Sequence, residues 1–317
     1  MTAFSQTLRR SVTVLAGATL LALAVARPVA GQILPWEVTV AEIEAGRLRN
    51  LAERLSKQNV LYHLRVGDVS KDDLIKTANE IEQIIGTLET GVAARSIPAP
   101  WSKALVGQVS KVDSAWSPLR YIARASPYQR MQLAFDSVPR DNRRGDPLLL
   151  RYFDGLCDTF IAESVKLVDA YDFECLKTGL SELCPTARAS GYAAMLIERA
   201  AKEAVYIVAN IEPQENRTRL KKTIDEYLGV QRTNNTSEFF RVALDPERGV
   251  SAKAAGELLK ALRKDWRVME GQFTILAAGD EKNFDLRILL GTQTEMVNKV
   301  ERLTAALVRY ANLAYGS

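Results

Sequence analysis

An arginine set in a row of small residues is the place in this chain where residue types and spacing could do chemistry. At alternating steps of four and three, Ala45, Arg49, Ala52, Ser56, Asn59 and His63 share one stripe of a helix. Small side chains at that spacing let a second helix approach closely, as in the seam of a coiled coil. A guanidinium keeps its charge, so at such a contact it needs an anion or hydrogen-bond acceptors; left dry and unpaired it is costly. Two readings stay open. Either Arg49 is exposed or paired within the chain, with Glu44, Glu53 or an acid of the fourth helix, or it holds an anion from outside. Arg47 and Arg54 point to other sides, and Arg54 with Glu53 reads as ordinary surface.

The segment that carries the stripe occurs twice. A shift of 145 residues lays Gly46–Lys57 over Gly191–Lys202, with identity at 46/191, 51/196, 53/198, 54/199 and 57/202, and Val60 over Val205. A long-range repeat of this kind indicates two similar structural units. In the second copy the stripe reads Ser190, Ala194, Ile197, Ala201, Ala204 and Val208, so Ala194 stands where the first copy has Arg49. A neighbouring face is apolar in both copies: Leu48, Leu51, Leu55, Tyr62 and Val66, then Ala193, Leu196, Ala200, Ile207 and Ile211. That face belongs in a core.

Other chemistry is scarce. The single histidine, His63, lies about 21 Å along the helix from Arg49 at 1.5 Å per residue, too far to share a ligand. There is no phosphate-binding glycine loop, no Gly-x-Ser-x-Gly elbow and no metal-ligand spacing, so neither metal nor cofactor is expected. Without a Glu-x-x-His pair a di-iron bundle is not expected; Asp72-Asp73 and Glu80/Glu82 read as helix caps or solvated faces. The chain does not read as an enzyme. Of the three cysteines, Cys175 and Cys184 could form a small disulfide loop at the entry to the second copy, and Cys157, among Leu150, Phe153, Phe160 and Ile161, reads as a buried thiol.

The elements that must position these residues are helices, and strand signals are absent. Helix 1 is expected from about Trp36 to Val66, broken by Gly67-Asp68. Ser70-x-x-Asp73 resembles a capping box opening helix 2, which runs to Gly91. Pro100 reads as a first-turn proline of helix 3, through Trp116 to Ala125. A loop over Ser126–Arg144 leads to helix 4, capped by Asp146-Pro147 and running to about Tyr171. The second set is expected at about Pro185–Ile211, Pro213–Gly229, Ser251–Ala278 with Trp266 in the place of Trp116, and Glu281–Ala314, with a polar loop around Thr233. The expected fold is all-α: two tandem antiparallel four-helix bundles, at 32–171 and 172–317.

The leading residues read as a processing signal. Arg9-Arg10 precedes an apolar run from Val12 to Ala26, with small-residue cleavage sites at Ala24-Val25-Ala26 or Val29-Ala30-Gly31. The run is shorter than the roughly 20 residues of a membrane span, so cleavage after Met1–Gly31 and export to the periplasm are expected, in preference to an uncleaved anchor. Removal takes away three arginines and no acid, which brings the net charge of +4 close to neutral. A near-neutral chain does not advertise nucleic-acid binding. Abundant Ala, Leu, Glu, Lys and Arg with few aromatics suit helical bundles.

The stretch Ala45-Gly46-Arg47-Leu48-Arg49-Asn50-Leu51-Ala52-Glu53-Arg54-Leu55 resembles the signature helix of the nitrate/nitrite sensor domain family. That family covers NarX-like sensor kinases and the N-terminal domains of PilJ-type, type IV pilus methyl-accepting chemotaxis transducers. The pattern is an Ala-Gly pair, two positions, an arginine, and a second arginine five residues on. Glu82–Gly91 and Trp116-Ser-Pro-Leu-Arg120 are similar to the PilJ-type layout. The resemblance implies a periplasmic four-helix bundle in which the first arginine, from helix 1 of each of two subunits, holds nitrate or nitrite. By position, Ala45, Gly46, Arg49 and Ala52 match that site; Gly191 matches in the second copy and Ala194 departs from it. The resemblance therefore implies a periplasmic sensory protein, binding a small oxyanion at the helix 1 seam and reporting to a separate sensor kinase or methyl-accepting transducer, with the seam closed within one chain or by a homodimer. The alternative is a protein-interaction scaffold of a chemotaxis or type IV pilus system with a decayed ligand site.

Overall fold

The helix starts follow local chemistry. In the computed structural model, which describes residues 33–124, 147–178, 183–236 and 250–315, α1 spans Pro35–Leu64. It opens on a proline, whose missing N–H is no loss in a first turn, and Glu37 reaches back to accept from the Leu34 backbone N–H at 2.9 Å. In α2, Lys71–Thr90, Ser70 and Asp73 bond reciprocally, closing the capping box. A chain reversal at Gly91 (φ 72°) then pairs Val92 with Ile97. A Cβ on Gly91 would collide with the Ala99 backbone, so glycine is required there.

Eight α-helices make up the described residues, and no strand occurs among them. After α1 and α2 come α3 (Lys103–Arg124), α4 (Pro147–Leu176), α5 (Leu183–Val208), α6 (Pro213–Thr236), α7 (Val250–Ala277) and α8 (Leu286–Tyr315). The protein is an all-α helical bundle. Helices α1 to α4 pack in a closed ring of neighbours, α5 to α8 in another, and α1 lies against both α4 and α5. In the first ring Trp116 is fully buried with its ring centroid 5.5 Å from that of Phe160. In the second, Tyr227 stacks on Trp266 at 3.9 Å, over Met269, Phe273 and Met296.

Several boundaries differ from those read in the sequence. Helix α1 stops at Leu64, because Arg65 takes the left-handed conformation and the Val66 N–H returns to the Leu61 carbonyl at 2.9 Å. Helix α3 starts at Lys103, with Ser102 accepting from the Leu105 N–H, so Pro100 lies outside it. Helix α4 continues beyond Tyr171 to Leu176. Helix α6 runs through Gly229 and Thr233 to Thr236, since one glycine costs only about 1 kcal/mol in a helix. Residues Glu281–Asn283 form a separate 3-10 turn, and Asp285 caps α8 by accepting from the Arg287 N–H at 2.8 Å. The expected signal segment and the Ser126–Arg144 loop lie outside the described residues. Among the described residues no helix is long and apolar enough to cross a membrane.

The internal repeat extends to the helix ends. Helix α5 closes as α1 does, with Asn210 left-handed (φ 56°) and the Ile211 N–H bonded to the Tyr206 carbonyl at 2.9 Å. Residues 65 and 210, 61 and 206, and 66 and 211 are each 145 apart, and both ends form the Schellman arrangement. The two ends share one apolar cluster of Val60, Leu61, Val205, Tyr206 and Ile211. Helices α1 and α5 therefore run parallel, side by side.

Candidate functional site

The stripe on α1 faces α5. Ala45, Ala52 and Ser56 are fully buried, as are Ile197, Ala201 and Ala204 on α5, and Ser190 and Ala194 are nearly so. The seam opens toward the C-terminal ends: His63 is half-buried and Val208 is exposed, so the stripe's last position in the second copy is not a packing position. On the neighbouring apolar face Tyr62 and Val66 are likewise only half-buried, while Leu48, Leu51 and Leu55 lie in the core.

Below Arg49 the seam holds a reciprocal ion lattice. Arg54 Nε donates to Glu198 at 2.9 Å and Arg199 Nε to Glu53 at 2.7 Å; Lys57 reaches Glu198 and Lys202 reaches Glu53, each at 2.8 Å. Both glutamates are fully buried and both lysines nearly so. Each residue on α1 meets the counterpart of its own partner on α5, the relation of an isologous two-fold contact. This overturns the reading of Glu53 and Arg54 as surface. Their helical phase placed them beside the seam, and the parallel neighbour, which no local pattern reveals, covers them. A signal was present all the same: 53/198, 54/199 and 57/202 are the charged identities of the repeat.

The lattice is matched electrostatically. Burial would raise the Glu198 carboxyl, but Lys57 and Arg54 hold it below its usual range. Burial works on the two lysines with different results. Lys57 is lowered by it, with only Glu198 as counter-charge and Gln293 Oε1 as its other acceptor. Lys202 is raised well above its usual value, because Glu53 and Asp154 outweigh the burial. Asp154 also accepts from Ser56 at 2.7 Å.

Arg49 lies above the lattice, 3% exposed, and its Nε and Nη2 have no hydrogen-bond partner. Gly46 on α1 and Gly191 on α5 flank it: a Cβ on either would lie 3.4 and 3.7 Å from Nη2. The repeat-related glycines thus make the space in which one guanidinium sits, with Ala194 buried at the corresponding place on α5. Its charge lies 5.7 Å from the ring centroid of Tyr192, a cation–π contact. Burial, with Arg188 next in effect, lowers its pKa to about 10, so it is charged at neutral pH.

The acids that could have paired with Arg49 are engaged elsewhere, apart from Glu42 and one oxygen of Asp172, which have no partner. Glu44 binds Arg47 at 3.0 Å and also Arg95. Glu53 serves Arg199 and Lys202. On α4, Asp169 and Asp172 bind Arg188, the latter at 2.9 Å. Glu42, two turns before Arg49, is buried with neither carboxylate oxygen bonded, and burial followed by Asp172 raises its pKa well above the usual range.

Arg49 contributes to the wall of a cleft of about 660 Å³ between α4, α5 and α6. The walls include Val165, Asp172, Arg188, Tyr192, Met195 and Val230. Apart from Arg199, an identity of the repeat, the α4, α5 and α6 residues of this cleft carried no sequence signal, since they come together only in the packed bundle. At the N-terminal end of α5, next to Pro185 of the cleft wall, a disulfide joins Cys175 to Cys184, Cα atoms 6.1 Å apart, and Cys157 is free and buried. Among the described residues no cluster of His, Cys, Asp and Glu could hold a metal ion. No protein-family model, curated protein or solved structure matches the chain.

Proposed function

We propose that this protein is a non-enzymatic binding protein that takes an anion at Arg49. The observation that carries this reading is a charged guanidinium, nearly wholly buried, with two nitrogens unbonded, at the wall of a cleft. An unpaired buried charge costs several kcal/mol, and a bound anion is the simplest compensation. A guanidinium offers two parallel N–H donors that match a planar oxyanion. Together with the resemblance of Ala45–Leu55 to nitrate/nitrite sensors, this makes nitrate and nitrite the first anions to test. Because α5 covers the α1 stripe and carries Ala194, the reading is of a one-arginine site within a single chain. The expected setting is the periplasm, with a membrane sensor kinase or methyl-accepting transducer as partner; the Cys175–Cys184 disulfide suits an oxidising compartment.

Calorimetry on the wild type and on Arg49→Met tests it. Heat with nitrate or nitrite in the wild type, absent in the variant, is expected. Equal heats from both proteins would remove Arg49 from the site. The lattice favours a second reading, an interaction scaffold, because it closes the seam without any ligand; that reading predicts no anion heat and a stable co-purifying partner.

A further inference from the structure

We propose that the anion held by Arg49 is the carboxylate of an organic molecule whose apolar body fills the rest of the cleft, against Tyr192, Met195 and Val230. The inference rests on the reading of Arg49 as the anion anchor and adds the ligand class. Its first support is size. The cleft of about 660 Å³ falls within the roughly 300–1,000 Å³ of sites that take organic ligands, and a four-atom oxyanion would occupy one corner of it.

The second support is the distribution of charge. Three arginines line the cleft, but two are committed: Arg188 to Asp169 and Asp172, and Arg199 to Glu53. Of the three, Arg49 alone has buried guanidinium nitrogens without a partner. A ligand with several anionic groups, such as a phosphate ester carrying a second charge, would have to break one of those pairs. A single carboxylate would not. Besides Asp172, Thr233 and the three arginines, the walls are apolar, with Val165, Pro185, Ala189, Met195 and Val230 around the face of Tyr192. The Tyr192 hydroxyl is tied to Glu226 at 3.0 Å, which fixes the ring. One cation outside any ion pair, beside a fixed ring and aliphatic side chains, is the recognition pattern for a monocarboxylate with a flat or branched apolar group.

Benzoate, acetate and nitrate as sodium salts at equal ionic strength, titrated calorimetrically into the full chain, distinguish the possibilities. Benzoate is expected to bind at least about tenfold more tightly than acetate or nitrate, the gain from removing several apolar carbons from water. Val230→Asn, whose fold is checked by its helical circular-dichroism signal and melting curve, is expected to weaken benzoate about five- to tenfold and leave nitrate and acetate unchanged. Arg49→Met is expected to abolish all three. Nitrate or acetate binding as tightly as benzoate in the wild type would overturn the organic-ligand inference and leave the anion site standing. A folded Val230→Asn that binds benzoate like the wild type would remove the apolar body from this cleft. No binding of any of the three, or undiminished binding by Arg49→Met, would bring down both readings.

Discussion

Two levels of the same α1–α5 seam follow opposite rules. At the lower level Glu53, Arg54 and Lys57 and their counterparts Glu198, Arg199 and Lys202 meet reciprocally, so both copies contribute the same groups. At the upper level the glycines are kept in both copies, but one arginine stands opposite an alanine. At the lower level every charged group meets an opposite charge within the protein. The loss of symmetry at the upper level leaves one cation uncancelled. The groups that hold the helices together at the lower level are self-sufficient, whereas Arg49, with two nitrogens unbonded, is not.

The largest effect is expected from breaking the lattice. Glu198→Ala would leave Lys57 buried with only the neutral Gln293 beside it, and removing one partner of a buried pair costs about 3–5 kcal/mol. Glu53→Ala should cost less, because Lys202 keeps Asp154 at 2.9 Å. Urea unfolding of the two variants, side by side, measures the difference; equal losses would show that Asp154 does not compensate Lys202.

At the upper level the sign reverses. Replacing a buried, unpaired guanidinium by an apolar side chain of similar length removes its desolvation cost and forfeits only the contact with Tyr192. Arg49→Met is expected to stabilise the ligand-free protein by about 1–3 kcal/mol, seen as a higher unfolding midpoint, while anion binding is lost. Destabilisation by the same substitution would mean that Arg49 belongs to the packing, as the lattice residues do.

The sequence carried the helical fold and the repeat well, because the apolar periodicity of α1 and α5 and the cap residues act locally. The identities at 46/191, 53/198, 54/199 and 57/202 marked the seam itself. Their meaning needed the parallel contact: Arg54 on its own helix is indistinguishable from a surface arginine, and only α5 turns it into half of a pair. Arg49 could be singled out from its place among small residues, yet whether an acid met it depended on where Glu44 and the α4 acids were drawn by Arg95 and Arg188. Tyr192, Met195 and Val230 had no local signature, since a cleft between three helices is a property of their packing.

A third position tests the comparison through pH. In the first copy Thr77 donates to Gln58 at 2.9 Å, and in the second Thr223 donates to Glu203 at 3.1 Å, so Glu203 stands 145 residues from a natural glutamine. Burial raises the Glu203 pKa to about 8, with Lys202 and the Thr223 bond opposing the rise. Between the ordinary glutamate value of about 4.3 and about 8, the folded protein holds this proton and the unfolded chain does not. Unfolding then releases a proton, so stability is greatest below the lower value and falls as pH rises toward the higher one. Glu42, also raised, gives a slope of the same sign. The depressed Glu198 and Asp154 act oppositely and weaken the protein only as pH falls through their lowered values. Glu203→Gln removes one ionisation from the neutral range and keeps an acceptor for Thr223. Its amide nitrogen takes the place of an oxygen that has no partner, a cost that offsets part of the gain. The variant is therefore expected to be about 1 kcal/mol more stable than the wild type at pH 8, equal or weaker at pH 5, and flatter in between. Urea midpoints at pH 5, 6.5 and 8 measure this directly, and parallel profiles for the two proteins would show that Glu203 does not set the slope.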